Sequence, residues 1–245
     1  MPERRHLPRS AHGPWVTSLL ALMAGLALTA ALAAWQRERA TQQRARQLEA
    51  LAEGEVRALQ AQMQEYELGL RALQAGLPSY RPDAFDELYR SIEIHHRLPG
   101  LQAVVFAERR EGPGGTSYPT TLVVPPAGNE RVLGLDVAQQ PLNLAALERS
   151  RDTDQPVLSA PFRLVQDPPG HAPDGLLLRL PVYSPGPLPR SVAERRARFV
   201  GSLAMSFRIS RLASESFHPD WRDSLHLRID DVATGTAVYD SNPGD

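Results

Sequence analysis

Residues 199–209 read FVGSLAMSFRI, and this stretch decides the fold class. Every second residue from Phe199 to Ile209 is apolar or glycine. A period of two is the pattern of a β-strand, whose successive side chains point to opposite faces of a sheet. Residues 225–230, LHLRID, alternate in the same way. The pattern therefore predicts strands of an antiparallel sheet in which one face is buried and the other is exposed to solvent.

Short apolar runs separated by turn residues surround these strands from Pro78 onward. Helical patterns cover residues 83–97 and 141–151. Further apolar runs predict strands at 101–106, 121–124, 131–137, 157–166 and 176–183. Proline and glycine predict loops at 111–115, 167–175 and 184–190. The predicted fold class is α+β, a long helix followed by a mixed, mainly antiparallel sheet domain.

Toward the amino terminus, residues 15–35 read WVTSLLALMAGLALTAALAAW and carry no charge. A helix of this length spans about 30 Å, the hydrocarbon thickness of a bilayer. Trp15 and Trp35 stand at its ends, where aromatic rings prefer the membrane interface. A cleaved signal peptide is the alternative, because Ala31-Leu32-Ala33 resembles a cleavage site. Signal peptides have a shorter apolar region of about 7–15 residues, so we expect an uncleaved membrane anchor and export of the chain that follows.

The arginines beside this segment leave its orientation open. Arg4, Arg5 and Arg9 precede it, which favours a cytoplasmic amino terminus, since cytoplasmic flanks carry an excess of basic residues. Four more arginines follow between residues 37 and 46. The two flanks are therefore nearly balanced in charge.

A charged, proline-free segment follows at residues 36–77, and its apolar residues recur at steps of three and four. These residues are Val56, Leu59, Met63, Tyr66, Leu70, Leu73 and Leu77. A 3.5-residue period held for three heptads predicts a long helix, which Pro78 ends. Two interpretations remain open. The helix packs on its own domain, or it forms a stalk that pairs two chains in a homodimer.

Composition and motifs exclude several classes of function. The 245 residues contain no cysteine, which excludes disulfide frameworks, thiolate metal sites and cysteine catalysis. A net charge of −1 argues against a nucleic-acid partner. The usual nucleotide-binding, hydrolase and zinc-protease motifs are absent, and the adjacent His95 and His96 diverge instead of sharing a metal. We therefore predict no enzyme activity, no metal site and no cofactor for this chain.

Five short features, in their order and spacing, resemble the CHASE domain, an extracytoplasmic sensor module best known from plant cytokinin receptors. The features are Gly134-Leu135-Asp136, the helical residues 143–150, VLSAPFRL at 157–164, PVY at 181–183 and FVGSL at 199–203. The resemblance covers roughly residues 80–240. It implies two PAS-like lobes, dimerisation along the stalk helix and a small ligand in the lobe farther from the membrane. The family also occurs in bacterial histidine kinases and diguanylate cyclases, which implies a bacterial inner-membrane protein with a cytoplasmic amino terminus and a periplasmic sensor domain.

The resemblance also indicates candidate ligand-binding residues. Asp136 matches the acidic residue that binds the ligand in the plant receptors, and Leu158 matches a residue of the pocket there. Phe162 and Tyr183 are further candidates for the same pocket. Each type of residue has a structural alternative, because aspartate commonly caps a helix or forms a turn and buried aromatic residues commonly belong to the core. The ligand itself is not carried over, since bacterial members need not bind cytokinins.

The predicted organisation has five parts in chain order. They are a cytoplasmic amino terminus (1–14), a transmembrane helix (15–35), a stalk helix (36–77), a CHASE-like sensor domain (78–240) and a truncated tail (241–245). We expect a histidine kinase or diguanylate cyclase output domain in a longer parent protein. The predicted function is that of a membrane-anchored sensor of a small molecule for transmembrane signalling. The alternatives are a ligand-free assembly module of a membrane complex and, third, an exported hydrolase.

Overall fold

The computed structural model describes residues 14–76, 82–91, 93–170, 173–217, 226–232, 235 and 237–242. The chain divides into two compact units between residues 54 and 55, and each is described by itself. Helix α1 extends from Pro14 to Gly76 and contributes residues to both. Its amino-terminal part contains the apolar residues 15–35, and among the described residues α1 is the one helix that is long and apolar enough to cross a membrane. None of the residues 15–35 is buried, as expected for a helix that faces lipid.

The second unit is an α+β domain. After α1 its helices are α2 (Pro82–Ser91), α3 (Ile94–Arg97), α4 (Pro141–Thr153), α5 (Val192–Arg198) and α6 (Ile209–Ser216). Its strands are β1 (Leu101–Glu108), β2 (Arg110–Gly112), β3 (Gly115–Ser117), β4 (Thr120–Val124), β5 (Val157–Leu158), β6 (Gly175–Tyr183), β7 (Phe199–Arg208), β8 (Arg228–Asp230) and β9 (Ala237–Asp240). Two short 3₁₀ helices lie at Glu130–Val132 and Val137–Gln139.

The strands form one five-stranded sheet in the order β4-β1-β7-β6-β5 and two hairpins, β2-β3 and β8-β9. All pairings between the named strands are antiparallel. The predicted α+β class, with a long amino-terminal helix followed by a mainly antiparallel domain, is confirmed. Two PAS-like lobes stay a prediction, since the described residues after β7 form only α6 and the β8-β9 hairpin.

One face of the sheet packs against the carboxyl-terminal part of α1. Tyr66, Leu70 and Leu73 are completely buried there, in one apolar cluster with alternate residues of β6 and β7. The Tyr66 ring lies 4.8 Å from that of Phe207, and its hydroxyl donates a 2.6 Å hydrogen bond to the carbonyl of Pro99. Burial of each large side chain contributes roughly 1.5–3 kcal/mol. α1 is therefore part of the domain core.

This packing bears on the two interpretations of the heptad pattern. Leu59 and Met63 are partly buried against the same cluster as Tyr66, Leu70 and Leu73, whereas Val56 is 55% exposed. From Leu59 onward the apolar face of α1 thus packs on its own domain. Pairing of two chains along the helix stays a prediction.

The second face of the sheet is also buried, so the predicted solvent-exposed face is wrong for β7. Ser202, Ala204 and Ser206, which alternate with the residues facing α1, are at most 5% exposed. The chain between β4 and β6 covers them, and Val132 and Leu164 from this segment pack in a cluster with Ala204. The small and polar side chains at these positions led to the prediction of a solvent-exposed face. In the structure they leave space in which the segment between β4 and β6 packs on the sheet.

Two predicted strands are shorter or absent in that covering segment. Residues 131–137 were expected as a strand, yet they extend from the first 3₁₀ helix to the start of the second, with Gly134 between the two at φ 80°. A positive φ suits glycine, which lacks a Cβ, and it interrupts an extended strand. The strand predicted at 157–166 reduces to Val157–Leu158 and one isolated bridge from Phe162 to Gly175.

Two further expectations on local structure differ in detail. The helix predicted at 83–97 is interrupted, because Glu93 adopts a left-handed conformation at φ 49° and starts α3 separately from α2. The loop predicted at 111–115 is the tip of the β2-β3 hairpin. Neither difference changes the main sheet.

Candidate functional site

A cavity lies on the sheet face opposite α1, beneath the segment between β4 and β6. Its sheet wall includes Val105, Leu177 and Ser206. Its outer wall includes Val132 and Phe162 from the covering segment. The empty space is about 400 Å³ including the part open to solvent. An apolar wall with a few polar groups is the usual composition of such a site.

Arg179 supplies the one charged side chain on the cavity wall among the described residues. It lies in the middle of β6 and is only 1% exposed. Its Nε donates a 2.6 Å hydrogen bond to Oδ1 of Asn143, and its Nη1 donates a 3.1 Å bond to the hydroxyl of Ser202. These two side chains hold the guanidinium in place between α4 and β7.

The charge of Arg179 has no counter-ion in the described part of the chain: no carboxylate lies within ion-pair distance of it. Burial alone lowers the pKa of the guanidinium to about 9, because removal from water disfavours the charged form. It remains protonated at neutral pH. A buried charge without a partner is unfavourable by several kcal/mol, which makes Arg179 a candidate to bind a negatively charged group.

A chain of amides extends from the guanidinium along the cavity wall. Asn143 uses its oxygen for Arg179 and donates from Nδ2 to Oε1 of Gln140 at 2.7 Å. The arginine has only donors, so the amide oxygen of Asn143 must face it. Gln140 immediately precedes α4, and Pro141 begins that helix, where its missing N–H leaves no bond unmade. The start of α4 therefore positions both amides at the cavity.

Asp136, predicted as a ligand-binding residue, lies beside the cavity but not on its wall. The flanking Leu135 and Val137 contribute to the wall instead. Oδ1 of Asp136 accepts hydrogen bonds from the backbone N–H of Tyr118 at 2.8 Å and of Ala138 at 3.0 Å. The second bond caps the 3₁₀ helix that begins at Val137, so the capping alternative is present. A contact from Asp136 to a ligand stays a prediction.

The other three candidates occupy different places. Phe162 lies on the cavity wall. Leu158 is on the short edge strand β5 and is 43% exposed, away from the wall. Tyr183 packs in a separate cluster with Phe199 and donates from its hydroxyl to the carbonyl of Arg151 at 2.8 Å. Burial, the largest effect, raises the pKa of Tyr183. For all three, ligand binding stays a prediction.

Sequence reasoning did not identify Arg179 and Asn143, two deeply buried polar residues of the cavity wall. A signal for Arg179 was present in residues 175–183, GLLLRLPVY, where a single charge interrupts an apolar run. Charged residues are almost never fully buried unless they are paired. Such a position in the middle of a central strand is therefore a candidate site. Asn143 has no comparable signal.

Comparison with known protein families identifies the domain. The family model of the CHASE domain matches residues 78–239, which is more than half of the chain. A search of curated proteins gave no match. The match covers the five-stranded sheet, the covering segment and the whole cavity wall, and it supports the resemblance seen in the five sequence features. A CHASE domain is an extracytoplasmic sensor module and not a catalytic one. The chain therefore belongs to the CHASE domain family.

Proposed function

We propose that the chain is the membrane-anchored input part of a transmembrane receptor, which binds a small molecule in the cavity between the sheet and its covering segment. The cavity carries this proposal, because it lies inside the CHASE domain and contains a buried charge that no carboxylate of the described residues pairs. In this proposal the chain resides in a bacterial inner membrane with the domain on the periplasmic side. A histidine kinase or diguanylate cyclase in the parent protein receives the signal.

The sheet offers a direct route from the cavity to α1. Leu178 and Leu180 on β6 face the α1 cluster, whereas Arg179 between them faces the cavity. On β7, Ser202 contacts the guanidinium and the next residue, Leu203, packs in the α1 cluster. A ligand that shifts β6 or β7 therefore changes the surface on which α1 packs. Packed interfaces tend to switch between discrete arrangements, since they deform little.

A polar contact joins the same strand to the end of α1. Nε2 of Gln74 donates a 2.6 Å hydrogen bond to the carbonyl of Pro181, two residues beyond Arg179 on β6. At Gly69 the helix approaches α3 so closely that an added Cβ would lie 3.1 Å from Cδ1 of Ile94. α1 also contains the apolar residues 15–35. We infer that displacement of this helix transmits ligand binding to the membrane.

A thermal-shift screen of the full chain in detergent tests ligand binding. Purines, amino acids and small organic acids are compared, since a ligand at a hundred times its dissociation constant stabilises the folded state by about 2.7 kcal/mol. We expect at least one compound to raise the melting temperature. Leu135→Trp, which adds bulk at the cavity wall, should abolish that rise.

Leu133→Trp is the matched control, because it makes the same change on the same segment at a side chain that is 61% exposed. It should leave the ligand-induced shift intact. A compound that stabilises both variants equally would show that binding occurs outside the cavity. If no compound stabilises the protein, the ligand-free assembly module becomes the better description.

Membrane anchoring has its own test. We expect the protein to remain in the membrane fraction after a high-salt wash, because a span of apolar residues is held by the hydrophobic effect and not by charge. Mass spectrometry should find an amino terminus at or near Met1. A mature start at Ala34 or Trp35 would instead identify residues 15–35 as a cleaved signal.

A further inference from the structure

The unused donors of Arg179 indicate what the cavity accepts. A guanidinium has five N–H groups, and within the described chain that of Arg179 makes hydrogen bonds only to Asn143 and Ser202. Its side chain is on the cavity wall and is almost completely buried. Three of its N–H groups thus have no hydrogen-bond acceptor among the described residues, and the side chain that carries them forms part of the cavity wall.

The other residues on the wall restrict the chemistry of a partner. No acidic side chain of the described residues lies on the wall, and neither does a second cationic one. Gln140 and Asn143 provide neutral amides near the guanidinium, and the remainder is dominated by Val105, Leu177 and Phe162. One positive charge next to an apolar surface matches one negative charge on an apolar body. A phosphate dianion fits less well, because the single positive charge of Arg179 would neutralise only one of its two negative charges. The other would be buried without a partner, which is unfavourable.

We propose that the cavity binds a small monocarboxylic acid, whose carboxylate pairs with the guanidinium of Arg179 and whose carbon chain packs against Leu177 and Phe162. This inference rests on the proposed function, in that it names the ligand class of the same cavity. Arginine and carboxylate match geometrically, since two parallel N–H groups bind both oxygens. The ligand supplies the counter-ion that Arg179 lacks among the residues the structure describes.

The space available sets the size of the acid. Inside the cavity, the centre of a water molecule can occupy a volume of about 30 Å³. This is enough room for about two water molecules. Acetate and propionate, with four and five non-hydrogen atoms, are the acids nearest to this size, and we expect small side-chain shifts to admit them. A longer acid requires the covering segment to open.

The experiment measures binding of sodium propionate to the full chain in detergent by calorimetry and thermal shift. Propionamide, a neutral molecule of nearly the same shape, and sodium chloride at equal ionic strength are the reference compounds. We expect propionate to bind and to raise the melting temperature. Neither reference compound should do so, because neither presents a carboxylate to the guanidinium.

Variants of arginine locate the interaction. Arg179→Gln should weaken propionate at least about thirtyfold, because removal of one member of a buried charge pair leaves the other unpaired. Arg163→Gln is the matched control: Arg163 is exposed and is flanked by the wall residues Phe162 and Leu164. It should leave the affinity unchanged. If Arg179→Gln does not fold, Arg179→Lys keeps the charge without the fork, and it should bind more weakly than wild type while still preferring propionate to propionamide.

The outcomes separate this inference from the proposed function. Equal binding of propionate and propionamide would overturn the carboxylate assignment, as would unchanged affinity in a folded Arg179→Gln variant. If propionate fails and a purine or another neutral compound stabilises the protein through the cavity, the carboxylate assignment falls and the sensor function stands. If no compound of the whole screen binds, both fall together.

Discussion

The two faces of the five-stranded sheet contrast sharply although their residues alternate along the same strands. The α1 face contains Leu180, Leu203 and Met205 with no exposure, and it packs directly on a helix. The opposite face contains Arg179, Ser202 and Ser206, which are buried but polar, and it borders a cavity. Close packing of apolar residues maximises stability, whereas open space beside a buried charge reduces it. The first face stabilises the domain, and the second has the buried charge and the open space on which the proposed ligand binding rests.

The largest effect is expected from a substitution that disrupts the packing of α1 on the sheet. Leu70→Asp places a carboxylate in the apolar cluster, where Leu70 has no exposure. We expect the free energy of unfolding to fall by about 4 kcal/mol or more, since the cavity and the buried charge both oppose folding. Chemical denaturation of the full chain measures it.

Leu68→Asp is the control on the same helix, because Leu68 is 62% exposed. It should change the free energy of unfolding by less than about 0.5 kcal/mol. A Leu70→Asp protein that keeps its fold but loses self-association would contradict the packing of this face. It would instead favour the interpretation that α1 pairs two chains in a homodimer.

Adjacent residues of β6 provide the most direct comparison of the faces. Leu180→Ala should lower the free energy of unfolding by about 2–5 kcal/mol, as expected for a buried leucine. Arg179→Met should lower it by less than about 1 kcal/mol or raise it, because the substitution removes an unpaired buried charge and keeps most of the volume. Thermal or urea unfolding without ligand compares the two. A loss of more than about 3 kcal/mol in Arg179→Met would mean that its bonds to Asn143 and Ser202 are essential to the fold.

Asp136 lies at the edge of the cavity face. Substitutions there distinguish a role in capping the 3₁₀ helix from a role in ligand binding. Asp136→Ala removes the acceptor for two backbone N–H groups, so we expect a loss of about 1–2 kcal/mol in the free energy of unfolding. Asp136→Asn keeps an acceptor and should lose only a few tenths. A normal melting temperature combined with a lost ligand response in Asp136→Asn would show that the carboxylate binds the ligand after all.

The smallest effect concerns a surface contact between α4 and α5. Asp152 on α4 forms a two-point contact with Arg196 on α5, at 3.0 Å and 2.6 Å. The hydrogen bond from Arg196, followed by that from Arg151, lowers the pKa of Asp152. The folded-state pKa is thus below the unfolded value, so the stabilisation is present above about pH 4 and is lost as the pH falls through the folded pKa.

We therefore expect Asp152→Asn to lower the free energy of unfolding by at most about 1 kcal/mol at pH 7, since the pair is partly exposed and screened. The difference from wild type should shrink as the pH falls below about 4. Urea unfolding at several pH values measures it. Glu87→Gln, at an exposed acid on α2, should show no such trend, and a wild-type advantage that grows toward acid would reverse the assigned sign.

The sequence predicted the elements whose signals are local. Alternation identified β7, a proline at the first turn identified α4, and an uncharged apolar segment identified the start of α1. These features depend on the period of side chains and on backbone restrictions. They do not require knowledge of what packs on them.

The site could be predicted only in part, because it depends on long-range contacts. Ser202 and Ser206 suggested a solvent-exposed face, since nothing local shows that a distant segment covers them. The hydrogen bond of Arg179 to Asn143 forms only when α4 packs against β6, which no local pattern predicts. Asp136 illustrates a different limit: the same short sequence fits both a helix cap and a ligand contact, and only its neighbours in space distinguish the two.

The central claim is that ligand binding on one face of the sheet changes the packing of α1 on the other face. Hydrogen exchange of the full chain, with and without a compound that the thermal screen identifies, tests it most directly. We predict slower exchange in β6 and β7 and, in the same experiment, altered exchange at residues 66–73 of α1. Protection confined to the cavity face, with α1 unchanged at saturating ligand, would contradict transmission through the sheet.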